Sequence, residues 1–226
     1  MRYLTLLLLL VSATAAYAAP LPSAVDAALS EVERRHADAE SLRFTFTMHM
    51  TTSENDVRLK YDPKVSSPWS HAGSADEDDE KFLERLSKRE NESDRELLAH
   101  EIRDLIGDSI SLHRSSGGSE TYRFSIAEDA KIFGEGKQRF EAAKYLTGEL
   151  TLDGGMLESL RFFATESFKP MIVAKIESFD LMLVFEEIWE NGPFVTVEQQ
   201  MEIDGSAFFK SFAENVSTTY SGFEKR

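Results

Sequence analysis

Residues 143–223 run as one alternating segment after another, each ended by turn-forming residues. Alternation with a period of two marks a strand with one face in a core and the other in water. Segments 145–153 and 156–166 flank Gly154-Gly155, a dipeptide suited to a tight hairpin. Segments 168–179 and 181–190 follow, then a turn at Asn191-Gly192-Pro193. Segment 194–203, a turn at Asp204-Gly205 and segment 206–220 complete the series. These connections are too short for the crossovers that parallel strands need, so the sheet is predicted to be antiparallel.

The first half adds strands of the same kind. Leu42, Phe44, Phe46, Met48 and Met50 alternate with Arg43, Thr45, Thr47 and His49. Val57, Leu59 and Tyr61 continue the pattern after the turn-prone Ser53-Glu54-Asn55-Asp56, and Asp62-Pro63 stops it. Residues 64–75 read as loop. A weak strand at 112–118 ends in Gly117-Gly118, and Tyr122, Phe124 and Ile126 form the next strand.

Two regions have helical spacing instead. In 21–39, Val25, Ala28, Leu29, Val32 and His36 share a face, with Ser23 as N-cap and Asp26 three residues on. Residues 76–107 are highly charged and read as two helices with a break at 91–94 and Gly107 as the stop. The predicted fold is α+β: a strongly curved antiparallel sheet, an open half-barrel, covered by the N-terminal helix and the mid-chain helical insertion. One domain is expected over residues 19–226.

Residues 1–18 have the form of a signal peptide. Arg2 is the positive start, Leu4 to Val11 the apolar stretch, and Ala16-Tyr17-Ala18 the small-x-small cleavage site. The apolar stretch is too short to span a bilayer. With no cysteine in the chain there is neither a lipidation site nor a disulfide framework. These features predict a soluble periplasmic protein held together by its core. The net charge of −15 argues against nucleic acid as a partner and against electrostatic docking on anionic membrane surfaces.

Catalytic and metal chemistry leave no signature. His36, His49, His71, His100 and His113 are not spaced for one face of a helix or strand. The acidic run Asp76-Glu77-Asp78-Asp79-Glu80 lacks the spaced ligands and central glycine of a calcium loop and suits a helix N-terminus. There is no Gly-x-Ser-x-Gly elbow, and Gly134-Glu135-Gly136 is too short to cradle a phosphate. Glu187 shares parity with Phe185 and Trp189; an apolar setting would favour its protonated form, whereas a strand end would leave it in water. No cofactor and no enzymatic activity are expected.

The order of leader, amphipathic helix, aromatic strand, second strand, helical insertion and meander resembles the LolA-like periplasmic carriers of lipoproteins. The local match is Leu42-Arg43-Phe44-Thr45-Phe46-Thr47, similar to that family's Phe-Thr-Gln strand, with Phe46 or Met48 where the family has Gln. The resemblance implies a half-barrel that shelters an acyl chain or lipoprotein between sheet and helices. Sixteen Phe, seven Met, six Tyr and two Trp supply apolar surface for such a cleft. Phe44, Phe46, Met48, Leu59, Phe124, Leu183 and Phe185 are expected to line it, with 76–107 as a lid. The competing expectation is an envelope interaction module with a filled core that engages another protein through a sheet edge or its acidic helices.

Overall fold

The computed structural model describes residues 20–39, 44–73, 80, 83, 99–128, 130 and 142–225. The signal peptide, Leu42-Arg43, most of 76–107 and the glycine pair at 134 and 136 lie outside them. The alternating segments become eleven strands: β1 (Phe44–Thr51), β2 (Asp56–Tyr61), β3 (Trp69–His71), β4 (Ile106–Ser116), β5 (Ser119–Ile126), β6 (Leu146–Asp153), β7 (Met156–Ala164), β8 (Phe168–Met171), β9 (Ala174–Glu187), β10 (Phe194–Ala207) and β11 (Lys210–Lys225). They form one antiparallel sheet in the order β3-β2-β1-β11-β10-β9-β7-β6-β5-β4, with β8 paired to β9.

Cross-strand register defines one continuous face. Leu59 lies opposite Met48, and Met48 opposite Tyr220. Two residues along β11, Thr218 lies opposite Gln199, and Gln199 opposite Leu183. Leu160, Leu150 and Tyr122 extend the row through β7, β6 and β5. Opposed residues project to the same side of a sheet, so these side chains share a face. The polar pair Thr218 and Gln199 interrupts it and divides the apolar surface into two clusters. The opposite face carries a charged ladder: Arg123 bonds Glu149 at 2.7 Å, Arg161 approaches Glu149 at 3.6 Å, and Arg161 also pairs with Asp180.

The larger cluster is covered by α1 (Ser23–Ala39), which buries Val25, Ala28, Leu29 and Val32 against residues such as Leu150, Leu160, Phe124 and Phe162. The helix begins at Ser23 itself; the Asp26 N–H donates to the Pro22 carbonyl at 2.9 Å, so Ser23 lies inside the first turn rather than capping it. Strands β3 and β4 sit at opposite edges. Ahead of β4, a 3-10 turn (Ala99–Glu101) and a one-turn helix (Ile102–Leu105) rest on α1. There Arg103 reaches Glu33 at 2.6 Å and Asp26 at 2.7 Å.

The expectation of a helix-covered half-barrel is corrected by this arrangement. The described residues are predominantly strand, and the sheet is open, with β3 and β4 as unjoined edges. Ten strands side by side span about 43 Å at the usual spacing. A 17-residue helix covers a strip about 25 Å long and about 10 Å wide, so α1 shields only part of that surface. It is the only helix of more than one turn that the described residues contain in full.

Four boundaries also differ. β9 runs unbroken through Asp180, because that residue takes the charged face and pairs with Arg161. β10 runs through Asp204-Gly205, where a bulge replaces the expected turn. Gly205 makes this feasible: a Cβ there would lie 2.5 Å from the Lys175 carbonyl oxygen. Gly107 is a residue of β4 and not a helix stop. Residues 69–71, expected as loop, pair with β2 as β3.

Candidate functional site

The smaller cluster lies on β1, β2 and β3, where alternation aims every second side chain at one face. Val57, Leu59 and Tyr61 of β2 are buried while Asp56, Arg58 and Lys60 are exposed. Phe46 stacks on Tyr61 at 4.9 Å between ring centroids and meets Trp69 edge-on at 5.6 Å and Tyr220 edge-on at 5.9 Å. Phe44 sits at the rim, edge-on to Trp189 at 6.1 Å and to Phe223 at 5.8 Å. Edge-to-face pairs of this kind each add roughly 0.5–1.5 kcal/mol beyond the area they bury.

Two polar atoms interrupt these apolar surroundings. Trp69 is 6 % exposed, and its Nε1 has no hydrogen-bond partner among the described residues. The same holds for His71 Nε2, two residues along the same strand. Register sets Trp69 opposite Tyr61 and His71 opposite Leu59, so both side chains share the clustered face. A buried donor without an acceptor costs about 1–3 kcal/mol, so each such group calls for an explanation. Nearby, an open depression of about 520 Å³ lies between the β1–β2 turn and β11, lined by Met50, Asn55, Phe212 and Val216 among others.

The seven side chains expected to line one cleft fall in two places. Phe46, Met48 and Leu59 are core members of the aromatic cluster, with Phe44 packed against it. Phe124 and Phe185 belong to the cluster under α1, and Leu183 packs there too. Phe46 and Leu59 are 2 % and 0 % exposed, buried by protein side chains. Leu83, from the segment expected as a lid, packs against the aromatic cluster.

Trp69, His71, Tyr220 and Phe223 were not foreseen as site residues. The signal was present for β3: Trp69 and His71 are spaced by two, so a strand would set them on one face. The preceding Pro68 made the segment read as loop.

The remaining candidates are polar and paired. Glu187 ends β9 in an exposed position, with Oε2 at 2.7 Å from Arg35 Nη1. The guanidinium holds its carboxyl below the usual range, the reverse of what an apolar setting would do. His49 pairs with Asp56 at 2.7 Å, and His113 lies 3.2 Å from Arg123. Among the described residues no three metal-ligating side chains gather, and no helix is long and apolar enough to cross a membrane. No known family model, curated protein or solved structure matches this chain.

Proposed function

We propose that the protein is a non-enzymatic carrier of the bacterial envelope that holds an amphipathic, acyl-bearing molecule against the aromatic cluster of β1–β3. The acyl part lies among Phe44, Phe46, Met48 and Leu59, and an acceptor on its head takes the Trp69 Nε1–H and faces His71. What carries this reading is the pair of buried, unpartnered polar atoms, Trp69 Nε1 and His71 Nε2, on an otherwise apolar surface. A carboxylate or ester satisfies such a donor. Each methylene leaving water contributes about 0.8 kcal/mol, so about ten give micromolar affinity before ordering costs. The leader-like N-terminus points the same way.

The test is native mass spectrometry on protein recovered from the envelope of the cell that makes it, followed by lipid extraction. A stoichiometric adduct releasing an acyl compound is expected. Trp69→Phe keeps the ring and removes the donor, so fatty-acid affinity falls by about tenfold in a chain that still folds. A clean mass with no uptake of a fluorescent fatty acid sinks the carrier reading. That result supports the second reading, an interaction module with a filled core, which the near-complete burial of Phe46 and Leu59 favours.

A further inference from the structure

Among the described residues, two neighbouring hairpin tips hold five of the seven large apolar side chains that are exposed. The β8–β9 tip exposes Met171 (61 %), Ile172 (100 %) and Val173 (45 %), and the β10–β11 tip exposes Phe208 (71 %) and Phe209 (106 %). Among the described residues only Val65 and Leu112 are large, apolar and comparably exposed, and they lie elsewhere. The two tips form one unit. Ala174 lies opposite both Met171 and Ala207, and Ala207 opposite Lys210, so four strand ends stand in a single row. The Phe208 N–H donates to the Val173 carbonyl at 2.9 Å, tying one turn to the other.

The turn at Phe208-Phe209 is costly for the fold. Both residues have left-handed backbone, with φ of 48° and 67°, in a two-residue loop that ordinarily takes Asn-Gly. Aromatic residues at such positions gain nothing from local geometry and bury little here. Strain of this kind persists where another requirement holds it.

We infer that the paired tips dock the protein on an anionic phospholipid surface, with Ile172, Val173, Phe208 and Phe209 entering the interface. Charge complementarity selects this occupant. Lys169 and Lys210 stand directly behind the apolar tips, with Lys175 beside them and paired with Glu177 at 2.7 Å, in a chain where acidic residues outnumber basic ones by 40 to 25. An apolar point backed by lysines suits the boundary of headgroups and acyl chains, where the ammonium groups reach lipid phosphates. The overall negative charge does not prevent this, because it is screened beyond about 8 Å at physiological salt. The inference stands on the tips alone and is separate from the carrier reading.

Flotation of the full-length chain with vesicles tests it. Equimolar phosphatidylglycerol and phosphatidylcholine vesicles are compared with phosphatidylcholine alone. Binding is expected to the anionic vesicles and to fall with added salt. The double variant Phe208→Asn, Phe209→Gly should lose at least about tenfold in affinity, the effect of two aromatic side chains that no longer leave water. Residues 1–19 are common to both chains and contribute equally. A Phe209→Trp variant gives a local reading: the fluorescence it adds to the wild-type signal should shift to the blue on anionic vesicles and be quenched by brominated lipid. Equal flotation of the wild type and the double variant, equal binding to neutral vesicles, or an unshifted emission from the Phe209→Trp variant would overturn the inference. Self-association abolished by the double variant, without vesicle binding, would also overturn it and make the tips a contact between copies.

Discussion

The Arg35 guanidinium lies 2.7 Å from the Glu187 carboxylate and so joins the last turns of α1 to the end of β9. The same guanidinium bonds Glu31 at 2.7 Å and stands 5.1 Å over the Phe194 ring. Arg35 is 9 % exposed, while the two carboxylates it serves keep part of their surface in water. A planar guanidinium serves both carboxylates and the ring at once, which a lysine ammonium cannot do. Arg35→Met keeps much of the packing and leaves Glu187 to water and to the Asn191 and Gly192 backbone N–H groups. It should lower stability by about 1 kcal/mol, and Arg35→Lys by somewhat less. Urea unfolding of the three chains checks this; equal midpoints would show that α1 is held by its apolar stripe alone.

The carboxylates around Arg35 also set an acid limit. Hydrogen bonds from Arg34 and then Arg35 lower the Glu31 pKa from 4.5 to about 2, and the Arg35 hydrogen bond lowers that of Glu187. A carboxylate with a folded-state value below its unfolded one stabilises the fold fully above the unfolded value. That contribution disappears as pH falls through the folded value. Melting temperature should therefore decline from about pH 4.5 toward pH 2, and decline less steeply in Arg35→Met. Parallel profiles for the two chains would assign the acid sensitivity to other groups.

Much of the sheet could be read from residue patterns. Val57, Leu59 and Tyr61 in β2, and Tyr122, Phe124 and Ile126 in β5, are buried in the alternation their sequence displays. Turns were less legible. Asp204-Gly205 has ideal turn composition, yet pairing continues across it through a bulge, and the turn falls on Phe208-Phe209. Composition favoured the first, while strand register and the close approach of Gly205 to Lys175 decided for the second. Coverage by helices was not legible at all, because the amphipathic pattern of 21–39 shows that α1 needs a partner and not how wide the sheet beneath it is. For the same reason Phe124 and Phe46 looked like neighbours in one cleft: parity set both on one face, but the break at Thr218 and Gln199 is a property of the pairing.

Gly148 tests how closely the cluster under α1 is packed. It sits opposite Phe124 in the β5–β6 pair, and a Cβ at this position would overlap the Phe124 ring. Phe124 is 2 % exposed and meets Phe162 edge-on at 6.3 Å, so it has little room to turn. Gly148→Ala should cost about 1–3 kcal/mol through overpacking. Adding Phe124→Leu should recover part of that loss, because the smaller side chain vacates the space the methyl needs. Strictly additive effects in the double-variant cycle would mean that the ring and the glycine do not compete for the same space.

The tip of the β10–β11 hairpin should respond in the opposite direction. Phe208 and Phe209 hold positive φ without the packing that normally compensates a non-glycine residue there. Asn-Gly adopts the same two-residue turn with little strain. Their exposed rings contribute little burial, so their removal forfeits little. The Phe208→Asn, Phe209→Gly variant should therefore unfold at higher denaturant, gaining about 1–3 kcal/mol. Stabilisation through removal of exposed, strained aromatics is the pattern expected where a site is kept for binding at the expense of the fold. A lower unfolding midpoint would instead mean that the rings support the hairpin, and it would remove the strain argument for keeping them at the tip.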